Sequence, residues 1–130
     1  MATAPTFTST ARADFVNVAA ANTARDGTGT ITTLVTGVAA GTKVFEIDAQ
    51  ATVTTTAGMI RIFISSDGGT TWRLFDEITI AAATPSASVK ASRNLTTYNN
   101  LILPSTSHRL GVTTHNAESI NVIALSGDLT

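Results

Sequence analysis

The chain has no cysteine. That excludes disulfides, thiolate metal sites and cysteine nucleophiles. Charge is scarce as well: charged residues make up 13% of the 130, against about 25% in an ordinary soluble protein. The formal net charge is −1, and Lys43, Arg61, Arg73, Lys90, Arg93 and Arg109 stand singly. No basic run or basic helix is present to follow a nucleic-acid backbone. Aromatics are 5% of the chain, few enough that the core claims most of them. No uninterrupted apolar run approaches the ~18 residues of a membrane helix. The start, Met1-Ala2-Thr3-Ala4-Pro5-Thr6, lacks the basic and apolar regions of a secretory signal. So little charge on a small domain predicts that a partner covers part of the surface. The plainer alternative is a monomer clothed in Thr, Ser and Asn.

What the chain does have is alternation. Phe45, Ile47, Ala49, Ala51 and Val53 fall on one parity, with Glu46, Asp48, Gln50 and Thr52 on the other. A period of two over that length predicts a strand across residues 43–55 with one buried and one wet face. Similar patterns predict strands at residues 14–19, 28–36, 59–65, 72–80, 86–95, 101–103, 108–114 and 119–125. Gly37 to Gly41 reads as a loop and Tyr98-Asn99-Asn100 as a turn, and Asp76 interrupts an apolar face as a bulge or a strand end would. Short strands at roughly 8–12-residue spacing, with no amphipathic helix, indicate an all-β chain. The predicted architecture is a single-domain antiparallel β-sandwich over residues 14–130, in jelly-roll or Greek-key order. A closed barrel is the alternative. Residues 1–13 read as an extended N-terminal arm, with Thr3, Pro5 and Phe7 as possible subunit contacts. A disordered terminus explains the same composition.

Between two of the strands lies Ser65-Ser66-Asp67-Gly68-Gly69-Thr70-Thr71-Trp72. Asp-Gly-Gly is turn chemistry, because glycine reaches positive φ without a Cβ clash and Asp bonds nearby amides. The fixed positions Ser65, Asp67, Gly69, Thr71 and Trp72 resemble the Asp-box of sialidases and related propellers. The resemblance implies a structural hairpin remote from any catalytic centre, with Asp67 bonding turn amides and Trp72 packing beside the turn. The motif occurs once, in a chain too short for a propeller of several blades. A sialidase would also need an arginine cluster and a tyrosine nucleophile, and the only tyrosine is Tyr98.

Little else suggests a reaction. His108 and His115 would point to opposite faces if one strand carried both, away from a shared metal. No Gly-x-Ser-x-Gly elbow is present. Glu46 and Asp48 share a strand face and could hold a cation, but a solvated face explains them as well. No catalytic, metal or cofactor-binding residue is therefore assigned.

Several phrases resemble small structural proteins of tailed bacteriophages. They are residues 21–29, Ala-Asn-Thr-Ala-Arg-Asp-Gly-Thr-Gly; residues 51–63, Ala-Thr-Val-Thr-Thr-Thr-Ala-Gly-Met-Ile-Arg-Ile-Phe; Thr113-Thr114-His115-Asn116-Ala117-Glu118; and Asn121-Val122-Ile123-Ala124. The resemblance implies a non-enzymatic virion component, first of all a capsid decoration or cementing protein. Such a protein would form a homo-oligomer, with a trimer favoured. It would contact the major capsid protein or other virion proteins, at the capsid surface rather than the tail, and would need no cofactor, nucleic acid or membrane. The competing reading is a carbohydrate- or receptor-binding sandwich of a phage tail or fibre, with Trp72, Tyr98, Asn99 and Asn100 as contacts.

Overall fold

Alternating side chains commit the chain to strands with an inward face, and eight form among the described residues. They are β1 (Thr8–Val18), β2 (Thr32–Thr36), β3 (Thr42–Ala51), β4 (Gly58–Ser65), β5 (Arg73–Ile80), β6 (Arg93–Leu103), β7 (Arg109–Thr114) and β8 (Ile120–Leu129). This computed structural model describes residues 8–129, and none of them is helical. Two antiparallel four-stranded sheets result, in the orders β1-β8-β3-β6 and β2-β7-β4-β5. That interleaving is jelly-roll order. The fold is thus the predicted β-sandwich, with two separate sheets instead of a closed barrel.

The inner faces meet in one apolar cluster. The first sheet offers Val18, Val44, Ile47, Ala49, Ala51, Val122 and Ala124, and the second offers Ile60, Ile62, Ile78, Ile80, Leu110 and Val112. Alanines in one layer and isoleucines in the other let the sheets pack closely with few voids.

Register irregularities account for where the strand expectations failed. Phe45 was expected inside, but β3 slips between Val44 and Glu46, so Val44 turns inward and Phe45 faces solvent. Opposite it, Tyr98-Asn99-Asn100 is not a turn but the long side of a bulge within β6. The bulge expected at Asp76 falls at the adjacent Phe75, which has no partner between Ile62–Asp76 and Phe63–Leu74.

Residues 86–90 form a turn closed by Ser86 N–H to Val89 O (2.9 Å) instead of a strand, and Val89 is exposed. The 28–36 strand starts only at Thr32, because Asn22 Nδ2 donates to the carbonyls of Thr28 and Thr30. β3 stops at Ala51 and leaves Val53 exposed. At the C-terminal end, β8 runs beyond the expected 119–125 and pairs with β1 as far as Thr8–Leu129. The same pairing places residues 8–13 of the expected arm inside β1. Thr3, Pro5 and Phe7 lie outside the described residues.

The connection from β1 to β2, residues 19–31, crosses the outer face of the second sheet as a strap. Asn22 N–H bonds Thr114 O at 2.9 Å, and Arg25 Nε bonds Glu77 Oε2 at 3.1 Å. Gly27 lies against the Trp72 carbonyl, and Ile31 lies against Gly111. Phe63 and Arg61 are buried on that face. Phe63 is not part of the inter-sheet cluster; it belongs to a second, smaller core under the strap.

Candidate functional site

The Asp-box-like turn brings its five fixed residues together. Ser65 Oγ donates to Asp67 Oδ1 (2.8 Å) and accepts from Gly69 N–H (2.9 Å). Asp67 Oδ1 also accepts from Thr71 N–H (2.8 Å). Gly68 and Gly69 hold φ of 74° and 91°, the region where a Cβ clashes. The Trp72 ring lies over Gly69 and Gly111, and a Cβ at Gly111 would sit 2.9 Å from the ring. The Thr71 amide and then the Ser65 hydroxyl bring the Asp67 carboxyl down from the ordinary 3.8 to about 2.

A carboxyl lowered by folding contributes stability above its unfolded pKa, and that contribution fades as pH falls through the folded value. The difference in melting temperature between wild type and Asp67→Asn should therefore be constant at neutral pH and shrink between the ordinary 3.8 and about 2. A difference independent of pH would show that the carboxylate does not organise this turn.

The aromatics proposed for glycan binding are engaged inside the fold. Trp72 covers its two glycines. The Tyr98 hydroxyl donates to Asp76 Oδ2 (2.8 Å), and its ring meets Phe75 at 5.8 Å. Burial, then the Asp76 hydrogen bond and charge, push the Tyr98 phenol well above its usual range.

The histidines flank opposite ends of β7. Ser105 Oγ and His108 Nδ1 are 2.7 Å apart within one loop. This contact borders a cleft of about 440 Å³ lined by Ser65, Asp67, Arg73 and His108. The only carboxylate of that lining, Asp67, is committed to the turn, so the pair has no acid there to orient it as a nucleophile–base couple.

His115 Nδ1 accepts from Arg61 Nη1 (3.1 Å), and Arg61 Nε bonds Glu77 Oε2 (3.0 Å). Arginine has no acceptor, so His115 carries its proton on Nε2 in this contact. Glu118, close to His115 in sequence, instead receives Thr56 N–H (2.8 Å) and Thr56 Oγ1 (2.9 Å).

Glu46 and Asp48 do share the outer face of β3, but Asp48 is buried beneath its neighbours and paired with Arg93 at 3.1 Å. A shared hydrogen bond with Asp48, then burial and the Asp48 charge, raise Glu46 above its ordinary value. Among the described residues no three His, Asp or Glu side chains gather as a metal would require.

The feature sequence reasoning missed is the outer face of the first sheet. Phe15, Phe45, Leu95, Ile102 and Leu125 are all exposed there; Phe15, Leu95, Ile102 and Leu125 pair in register with residues opposite to the inward set, and Phe45 is turned out at the β3 slip. Phe15, at 76% exposure, stands beside Ile123 over a hollow of about 420 Å³. Its signal was legible, because Phe15 lies opposite in parity to Val16 and Val18. Phe45 gave none, because the alternation of Phe45 with Ile47, Ala49 and Ala51 runs unbroken through the bulge. No protein-family model matches the chain, and no curated protein matches its sequence.

Proposed function

We propose that this protein is a non-enzymatic structural component of a tailed-phage virion, a capsid decoration or cementing protein that acts through protein–protein contacts as a homo-oligomer. The observation that carries this reading is the apolar outer face of the first sheet. Five large apolar side chains are exposed on that one face. They alternate with Lys43, Glu46 and Asp48 of β3, which pair with Ile102, Leu125 and Leu95; large apolar side chains grouped with charges on one face of a small domain support an interaction site. The polar clusters support the same reading. Asp67, Arg61, Glu77, Tyr98 and Asp48 each hold an element of the fold in place. Jelly rolls also serve capsids and lectins alike, so the fold agrees with the reading without selecting it. Many copies on a repeating lattice gain avidity from weak individual contacts.

The test is copurification. Particles of the phage that carries the gene should contain the protein at a fixed copy number per capsid, measured by quantitative mass spectrometry. Leu125→Asp and Ile102→Asp should reduce that occupancy at least tenfold while leaving the circular dichroism spectrum unchanged. Particles without the protein would overturn the proposal.

A further inference from the structure

A sandwich of two open sheets has four edge strands, and an open edge recruits other strands unless something blunts it. Here β2, β5, β6 and β1 are the edges. β2 has five residues and a bulge between Thr33 and Val35. β5 is kinked at Phe75. β6 carries the long bulge at residues 98–100. β5 and β6 are also tied to each other, by Tyr98 to Asp76 (2.8 Å) and by Asn94 Nδ2 to Thr79 O (3.1 Å). β1 differs from all three. Its register with β8 is unbroken from Thr10 to Val18, and it contains neither proline nor lysine. Among the described residues no strand pairs with its other edge.

The geometry points to a second copy of this chain as the occupant: two β1 strands pair antiparallel about a two-fold axis at Ala13, joining two first sheets into one of eight strands. The order of residues in β1 selects that register. Pairing Ala13 with its own copy sets Arg12 opposite Asp14 of the second copy, and Asp14 opposite Arg12 of the second copy. Each cross-strand pair then joins opposite charges. Within one chain Arg12 already lies 2.9 Å from Asp14 and 3.0 Å from Asp128. The Asp14 Oδ2 contact with Arg12 is an ion pair without an aligned hydrogen bond, and the Arg12 of the second copy adds a second cation beside the same carboxylate. On the outer face the same register lays Phe15 over Ala11 of the second copy, large against small. It covers the most exposed large apolar side chain described. A register centred on Arg12 or Asp14 would stack like charges on the axis, which destabilises a strand pair.

This pairing deepens the oligomer part of the proposed function and stands without the virion part. It specifies a two-fold contact in place of the three-fold expectation. The absence of native cysteine makes cross-linking a clean test. Across the axis the two Ala13 Cα atoms would be about 4.5–5.5 Å apart, within disulfide reach. The two Ala11 Cα atoms would be about 14 Å apart.

Under mild oxidation Ala13→Cys should give a species of twice 13.4 kDa, at least tenfold faster than Ala11→Cys or Phe15→Cys alone. A mixture of Ala11→Cys and Phe15→Cys should cross-link where neither does alone. Light scattering of the wild type should show a dimer mass across a concentration series, and Phe15→Lys should shift it to the monomer. Equal rates at residues 11, 13 and 15, a wild-type monomer at every concentration, or a trimer would each overturn the pairing. Particles lacking the protein would sink the virion reading and leave this result standing. Particles containing it, with Ala13→Cys silent, would sink only the pairing.

Discussion

Phe63→Ala is expected to lower stability by about 3–5 kcal/mol, measured by urea melts with an unchanged m-value. Alternation assigns Phe63 to the outward face of β4, beside Arg61 and Ser65, where truncation would ordinarily be mild. The strap makes the difference. Residues 19–31 run over that face, and Phe63 is 0% exposed beside Gly111, its partner on β7. The lack of a side chain at Gly111 lets the Trp72 ring and Ile31 close over the site. Removing the phenyl ring leaves a cavity that the flanking β7 backbone cannot fill. Phe75→Ala is the internal control, because Phe75 is exposed on a bulge and should cost far less. Equal losses for the two would mean that the strap does not bury the outer face in solution.

Arg61→Ala is the second large effect, expected near about 3 kcal/mol, since removing one member of a buried pair strands the other. The Arg61 side chain is only 3% exposed, and it bonds Glu77 at 3.0 Å and His115 at 3.1 Å. Its loss leaves Glu77 with Arg25 alone, a residue whose side chain is largely in solvent. The value sits at the low end for a buried pair because that second cation remains and Glu77 keeps some contact with water. The double variant Arg61→Met, Glu77→Gln should be more stable than Arg61→Ala, because no charge is left stranded. The strap should also loosen when Arg61 is lost, and trypsin should then cut after Arg25 faster than in wild type. Unchanged cleavage with lowered stability would place the role of Arg61 in the sheet and not beneath the strap.

How far the sequence could be read follows from the range of each signal. Alternation is local, so the inward sets Ile60, Ile62, Ile78, Ile80, Val122 and Ala124 were legible, and with them the sandwich. The turn at Asp67 was legible because its hydrogen bonds close within a few residues of one another. The bulge in β5 left a mark, the break in alternation at Asp76, but those in β3 and β6 did not, since one inserted residue inverts every parity after it. That is why Phe45 was placed inside and why residues 98–100 were read as a turn. Burial of Arg61 and Phe63 was illegible for a different reason: what covers them is a connection some thirty to forty residues earlier in the chain, whose position depends on tertiary structure. The apolar outer face fell between these cases. Phe15 announced itself, while Leu95 and Ile102 took meaning only from the β3–β6 register.

β8 is hydrogen-bonded on both sides, to β1 and to β3. During synthesis β1 therefore waits, with no neighbour to zip against, until residues 120–129 have left the ribosome. Its first contact closes a loop on the order of a hundred residues, an entropic cost that grows only slowly with length but must be met before the ladder returns anything. β1 accordingly joins the first sheet only once β8 is available, and a nascent chain held short of Ile120 should remain open to proteases along Thr8–Val18.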